Sequence, residues 1–243
     1  MENLVIDIGN TFAKAGLFLH GKLEHTYSHL PLQEVPTLIG KKSYNGLIIS
    51  SVSSQLEDII KVDEKDAQVI FLNANTPLPF INTYQTPRTL GTDRIAAIAG
   101  AIALFPDRPV LAIDAGTCIT YDVADGKKNY LGGNISPGLQ MRAKAMHTFT
   151  ARLPLVHVEQ AEAAHIPLIG YNTQTALQSG ALFGTQAEIT QMIRMYADKF
   201  RNLEVVLCGG DADLLSQGID VAHTTVPELI LIGLNRILEY NVS

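Results

Sequence analysis

Residues Val110–Asp122 read VLAIDAGTCITYD. A mostly apolar run reaches Asp114, a small turn follows at Ala115-Gly116-Thr117, and the apolar pattern resumes through Ile119 and Tyr121. This pattern predicts a buried strand, a tight loop and a second strand running back. A carboxylate at the end of such a strand, beside a glycine that exposes backbone N–H groups, suits a phosphate–cation site. Asp, Gly and Thr are also ordinary turn residues, so the motif alone decides little. The N-terminus supplies an echo: Leu4–Phe18 reads LVIDIGNTFAKAGLF, with the same apolar run, Asp7, Gly9 and Thr11. Two such hairpins about a hundred residues apart predict two similar half-domains facing one polyphosphate.

Working outward, the chain of 243 residues is long enough for one large domain or two smaller ones. At 47% hydrophobic and 17% charged it can bury a core. A net charge of −6 without a basic block argues against nucleic acid as the main partner. Two cysteines, Cys118 and Cys208, are too few for a disulfide framework or a thiolate metal site and read as buried small residues. No paired histidine spacing suggests a metal site. The expectation is no signal peptide, no membrane span and a cytoplasmic location.

In chain order, the pattern predicts a strand at Leu4–Ile8 and a hairpin of Ala13–Leu19 with Lys22–Ser28. A short helix about Thr37–Gly40, a strand at Gly46–Ser50, a helix at Gln55–Lys61 and a strand at Gln68–Leu72 follow. Asn73–Pro87 reads as a loop and Ile95–Leu104 as an apolar helix buried between the halves. The second half repeats the theme. It has strands at Val110–Ile113, Cys118–Val123 and Asn129–Ile135, then a helix from Leu139 to about Phe149. A long helical stretch over Asn172–Phe200 precedes a strand at Glu204–Leu207, a short helix at Asp211–Gln217 and a last helix at Pro227–Tyr240. The predicted fold class is α/β, with half-domains 1–105 and 106–243 around a central cleft.

Five stretches could carry chemistry. Asp7–Lys14 and Asp114–Thr117 suit phosphate and Mg²⁺, and their matching strand contexts favour that over plain hairpin turns. Gly91-Thr92-Asp93-Arg94 opens a helix. An anion could bind there with Asp93 as a base, yet on spacing alone a helix cap with a surface Asp–Arg pair is the better reading. The glycines of Leu131–Gly138 permit close approach of a ligand or of the facing hairpin, and simple tight turning explains them equally well. The Cys208-Gly209-Gly210-Asp211 step is equally a nucleotide seat or a simple strand-to-helix turn.

The ordered set of these motifs resembles the type III pantothenate kinases of the acetate/sugar kinase–chaperone–actin superfamily. It comprises Asp7-x-Gly-Asn-Thr, Tyr84…Gly91-x-Asp93-Arg94, Asp114-x-Gly-Thr…Asp122, Gly132-Gly133-x-Ile135-x-Pro137-Gly138, Gly170-x-Asn172-Thr173 and Gly209-Gly210-Asp211. The resemblance spans nearly the whole chain and replaces the cap reading of Asp93. It departs from the family pattern at Cys118, where Ala is usual, and at Cys208, where Thr commonly precedes the glycine pair.

The resemblance implies two ribonuclease H-like half-domains of the actin-like ATPase fold. It implies that Asp7, Ile8, Gly9, Asn10, Thr11, Phe12, Ala13 and Lys14 bind ATP phosphates, with Asp7 near Mg²⁺, and that Thr117 touches ATP. Tyr84, Gly91, Thr92, Asp93 and Arg94 would hold pantothenate, with Asp93 as general base. Asp114 would ligate a monovalent cation, K⁺ or NH₄⁺. Thr173 would reach pantothenate across a homodimer interface. Two other readings keep the fold: a kinase or phosphatase for another small molecule, and a non-catalytic nucleotide-dependent regulator.

Overall fold

The computed structural model describes residues 2–9, 11–41, 44–51 and 68–242. In chain order its elements are β1 (Glu2–Ile8), β2 (Phe12–Leu19), β3 (Lys22–Pro31), α1 (Val35–Lys41), β4 (Gly46–Ser51), β5 (Gln68–Phe71), β6 (Ile81–Asn82) and α2 (Thr92–Leu104). There follow β7 (Val110–Ala115), β8 (Cys118–Ala124), β9 (Asn129–Pro137), α3 (Leu139–Thr148), α4 (Gln160–Ala163), α5 (Thr173–Ala197), β10 (Glu204–Cys208), α6 (Ala212–Ser216), β11 (Thr224–Thr225) and α7 (Leu229–Val242). The helix expected at Gln55–Lys61 lies outside the described residues.

The chain divides into two compact units. The first holds Met1–Asp107, Gly126–Leu131 and Glu228–Ser243, and the second holds Arg108–Asp125 and Gly132–Pro227. A single boundary after residue 105 therefore does not describe the contacts, because the last helix clusters with the first unit. The reason is packing. The apolar face of α7 (Leu231, Leu234, Ile237 and Leu238, all fully buried) covers α2 and the β1–β4 strands. Gly233 of α7 lies so close to the Ala96 carbonyl of α2 that a side chain there would overlap it.

The first unit carries a five-stranded sheet in the order β3-β2-β1-β4-β5. β1 is antiparallel to β2 and parallel to β4, and β4 is parallel to β5. Leu4, Ile6 and Ile8 of β1 alternate into a core with Ala13, Ala15, Leu47, Ile49, Val35 and Ile39. α2 is apolar almost all round and is buried from Arg94 to Ile102, as such a composition demands.

The second unit repeats the plan. β7 is antiparallel to β8 and parallel to β10, β10 is parallel to β11, and β8 neighbours β9. The order β9-β8-β7-β10-β11 is the order β3-β2-β1-β4-β5 with each strand in its counterpart's place. The duplication expected from the two Asp-x-Gly hairpins thus extends to strand order and to the relative directions of β7, β8, β10 and β11. Its core joins Leu111, Ile113, Ile119 and Tyr121 to Leu182, Ile189 and Ile193 of α5 and to Val205 and Leu207 of β10.

Three elements arise where the sequence predicted neither strand nor helix. β6 pairs in parallel with Asn129 and Tyr130, which cluster with the same unit, and β11 pairs with Val206 and Leu207. Each is two residues long, so no local alternation announces it. α4 is a single turn between Pro154 and Pro167.

Candidate functional site

In the first unit the β1 carboxylate, the end of β4 and the start of α2 converge. Asp7 is paired with Ser50 in the parallel register of β1 and β4. The Ser50 hydroxyl bridges the Asp7 carboxylate and the Thr92 hydroxyl, 3.1 Å from the latter. Thr92 also lies 3.4 Å from the Ser51 carbonyl. Burial, helped by the Asp93 charge and opposed by the Ser50 hydrogen bond and the Lys14 charge, pushes the Asp7 carboxyl up to about 6 from an ordinary 3.8.

The start of α2 is not a side-chain cap. The N-cap position falls on Gly91, which supplies no side-chain bond, so Thr92 and Asp93 are first-turn residues. Asp93 Oδ1 instead accepts the Arg94 N–H at 2.8 Å and lies where any side chain on Gly91 would collide with it. The Arg94 guanidinium, on a residue only 6% exposed, stands 5.7 Å from the centre of the Tyr84 ring. The Tyr84 N–H donates to Asn82 at 3.0 Å, and its ring lies 6.0 Å from that of buried Tyr130. Asp7, Tyr84, Gly91, Thr92, Asp93 and Arg94 thus belong to one neighbourhood.

The turn after β1 is more occupied than its sequence suggested. The Gly9 N–H donates to the Phe12 carbonyl at 3.1 Å, so that amide closes the hairpin rather than pointing at a ligand. Thr11 and Phe12 are exposed, Ile8 and Ala13 are buried in the core, and Asn10 lies outside the described residues. Lys14 Nζ is 3.9 Å from Glu228.

The second unit builds a corresponding turn from several elements. The Gly116 N–H donates to the Cys118 carbonyl at 3.0 Å, as Gly9 does to Phe12. Gly209 has φ +97°, and a side chain there would overlap both the Ala115 carbonyl and the Asp114 carboxylate. The Asp211 N–H donates to the Ala115 carbonyl at 2.9 Å, and burial raises the Asp211 carboxyl. The open alternative for Leu131–Gly138 closes in favour of the facing hairpin. Gly133 abuts the Tyr121 carbonyl, and Gly138 abuts the Gly116 and Thr117 carbonyls, where its N–H donates to Thr117 at 3.1 Å.

Thr117 is exposed at this turn, and Asp114 is partly buried. Cys208 is buried beside Asp114 in the β10–β7 register, and Cys118 is half-buried. Thr173 is exposed at the first position of α5, behind an Asn172 cap that accepts the Thr175 N–H at 2.8 Å. Ahead of it stand Leu168, Ile169 and Tyr171, which are 73%, 83% and 79% exposed.

Sequence reasoning missed Ser50 and Glu188, neither of which carries a local signal, while Asp211 entered only as the end of the Gly209-Gly210-Asp211 turn. Among the described residues no group of three His, Cys, Asp or Glu side chains could enclose a metal ion, so any cation here would share its coordination with a ligand or water. No helix among the described residues is long and apolar enough to cross a membrane.

Duplicated strand plans, each ending its first strand in Asp-x-Gly, define the actin-like ATPase fold. Its solved examples here include MreB5 of Spiroplasma citri bound to ADP, with a TM-score of 0.51 at 10% identity, covering 99% of this chain and 97% of that one. A candidate N-acetylmannosamine kinase from Listeria monocytogenes superposes with a TM-score of 0.60 at 13% identity, covering 99% and 100%. A candidate Baf family transcriptional activator from Campylobacter jejuni does so at 0.61 and 25% identity, covering 98% of each chain.

The family model for type III pantothenate kinase matches residues 3–195. A type III pantothenate kinase of Cytophaga hutchinsonii is 43% identical over 240 residues, covering 99% of this chain and all of that one. One of Bacteroides fragilis is 43% identical over 242 residues, covering 98% of each. The chain belongs to the type III pantothenate kinase family.

Proposed function

We propose that the chain transfers the γ-phosphoryl group of ATP to the primary hydroxyl of pantothenate, giving 4′-phosphopantothenate and ADP, the first step of coenzyme A biosynthesis. The observation that carries this reading is the convergence of Asp7, Ser50, Thr92 and Asp93 beside the Arg94–Tyr84 pair, in a chain related to these kinases along its whole length.

Asp93 serves as the general base. As the substrate oxygen bonds to the γ-phosphorus and the bond to the β–γ bridging oxygen breaks, the hydroxyl proton passes to the Asp93 carboxylate and the electron pair leaves with ADP. The transition state of such a transfer is loose, so alignment matters more than proton abstraction. Arg94 carries a fixed positive charge for the pantothenate carboxylate, and Tyr84 supplies an aromatic wall. The Asp7–Lys14 hairpin and Thr117 receive the ATP phosphates.

Asp7 fits a divalent cation, because a desolvated carboxylate near a second carboxylate is stabilised by positive charge. Mg²⁺ supplied with ATP would neutralise phosphate charge there. Asp114, wedged against Gly209, fits a monovalent cation such as K⁺ or NH₄⁺, which would offset phosphate charge from the second unit. The working form is a homodimer in which Thr173 reaches the partner's pantothenate, and the exposed Leu168, Ile169 and Tyr171 beside it are surface that such an interface covers. The protein works in the cytoplasm.

The test is a coupled assay of ADP formation, with and without pantothenate, in K⁺ and in Na⁺ buffers. Pantothenate-dependent turnover that needs K⁺ is expected. ATP turnover that ignores pantothenate in both buffers would sink the assignment and promote the regulatory reading.

A further inference from the structure

Glu188 lies in the middle of α5, half-buried, and takes part in none of the chemistry above. Its Oε1 accepts from the Tyr121 hydroxyl of β8 at 3.0 Å and from the Ser136 hydroxyl of β9 at 2.6 Å. Its Oε2 is paired with the Arg142 guanidinium of α3. Burial would raise this carboxyl, yet the Ser136, Arg142 and Tyr121 hydrogen bonds and the Arg142 charge together hold it below the ordinary carboxylate range. One side chain thus gathers donors from three separate elements.

Arg142 has a second task. Its Nε donates to the Pro137 carbonyl at 2.8 Å. The next residue, Gly138, donates its N–H to the Thr117 carbonyl and packs directly on the Gly116–Thr117 backbone. A continuous path therefore runs from Glu188, through Ser136 and Arg142, to the Pro137–Gly138 step and on to the Asp114–Thr117 turn. Desolvating an ion pair is a poor route to stability, since apolar residues of similar volume often do as well. A turn that must hold phosphate within a fraction of an ångström is a better reason to keep one.

We propose that Glu188 is a positioning residue for nucleotide binding, fixing the Pro137–Gly138 step through Ser136 and Arg142 and so orienting the Asp114–Thr117 turn toward the ATP phosphates. The proposal rests on the assignment of that turn to ATP made above.

The test compares full-length variants by kcat, KM for ATP and KM for pantothenate, with thermal melting as a check on folding. Glu188→Gln keeps acceptors for Tyr121 and Ser136 but loses the charge that holds Arg142. Arg142→Lys keeps the charge and loses the second donor to Pro137. Each is expected to raise the ATP KM roughly tenfold, as loss of a charge-assisted hydrogen bond does. The pantothenate KM stays within about twofold, and the double variant is no worse than either single one.

Asp220→Asn, which breaks only an exposed pair with Arg194 on the same helix, leaves all three constants unchanged. Thr117→Val tests the turn itself. A raised ATP KM in Thr117→Val with normal values in both Glu188→Gln and Arg142→Lys overturns the positioning role and leaves the turn's assignment standing. An unchanged ATP KM in Thr117→Val removes that assignment and the proposal with it. A Glu188→Gln protein that melts earlier but shifts both KM values alike, or neither, shows a purely structural role and overturns the proposal. Should that variant fail to fold, Arg142→Lys decides by the same criteria.

Discussion

Ser50 stands beside Asp7 in the parallel pairing of β4 with β1, and its hydroxyl is hydrogen-bonded to the Asp7 carboxylate while reaching the Thr92 hydroxyl at the start of α2. This contact ties the end of the central strand to the first turn of the helix that carries Asp93. It also only partly compensates the burial of Asp7, whose carboxyl stays well above its ordinary range.

A pH dependence follows. The folded chain holds the Asp7 proton up to about 6, against an ordinary 3.8, so it binds more protons than the unfolded chain between these values. Stability contributed by this group is therefore present at pH 4 and lost as pH rises through 6, by about 2 kcal/mol. Asp7→Asn is expected to melt roughly 4–8 °C higher than the parent at pH 7.5 without Mg²⁺ or ATP. The gap closes near pH 4, and the variant's phosphoryl transfer falls sharply. Melting curves across that range would falsify the assignment if the two proteins stay parallel.

Asp93 is the group on which proton transfer depends. Asp93→Asn should lower kcat by roughly 10²–10⁴-fold, the usual contribution of a general base, with the ATP KM little changed. A wild-type kcat measured for this variant would remove Asp93 from its role.

Asp114 and Gly209 should act together. Asp114→Asn is expected to abolish the difference between K⁺ and Na⁺ buffers. Gly209→Ala, which changes no charge, should do the same. At φ +97° and against the Asp114 carboxylate, the added methyl must displace one or the other, at a cost above about 1 kcal/mol. Retention of full K⁺ activation by Gly209→Ala would show that the cation is held elsewhere.

The shared site can be tested by subunit mixing. Thr173→Ala should raise the pantothenate KM and spare the ATP KM. Mixed with Asp93→Asn under conditions of subunit exchange, it should recover about a quarter of wild-type sites, because half of the random dimers are hybrids and each hybrid holds one intact site. Recovery no greater than the sum of the separate variants means that Thr173 serves only its own chain.

Much of this protein was written locally. VLAIDAGT and LVIDIGNT each state an apolar strand ending in a carboxylate and a glycine turn, and strand alternation is a period-two signal that needs no partner to be read. The order of motifs along the chain carried the family. The start of α2 was legible less well: Thr92 and Asp93 have cap chemistry, but the cap is set by backbone angles, and these place it at Gly91.

What only the tertiary structure decided are relations between residues far apart in the chain. Ser50 lies beside Asp7 because a parallel register puts it there. Glu188 meets Arg142, Ser136 and Tyr121 across 46, 52 and 67 residues. The last helix joins the first unit because its buried face fits α2. The two-residue strands β6 and β11 exist only through their partners. Such contacts leave no trace in local periodicity, since they depend on where the backbone of one element passes another. The sequence by itself therefore determined the strands, the turns and the chemical groups at their ends, while packing decided which of those groups share a neighbourhood.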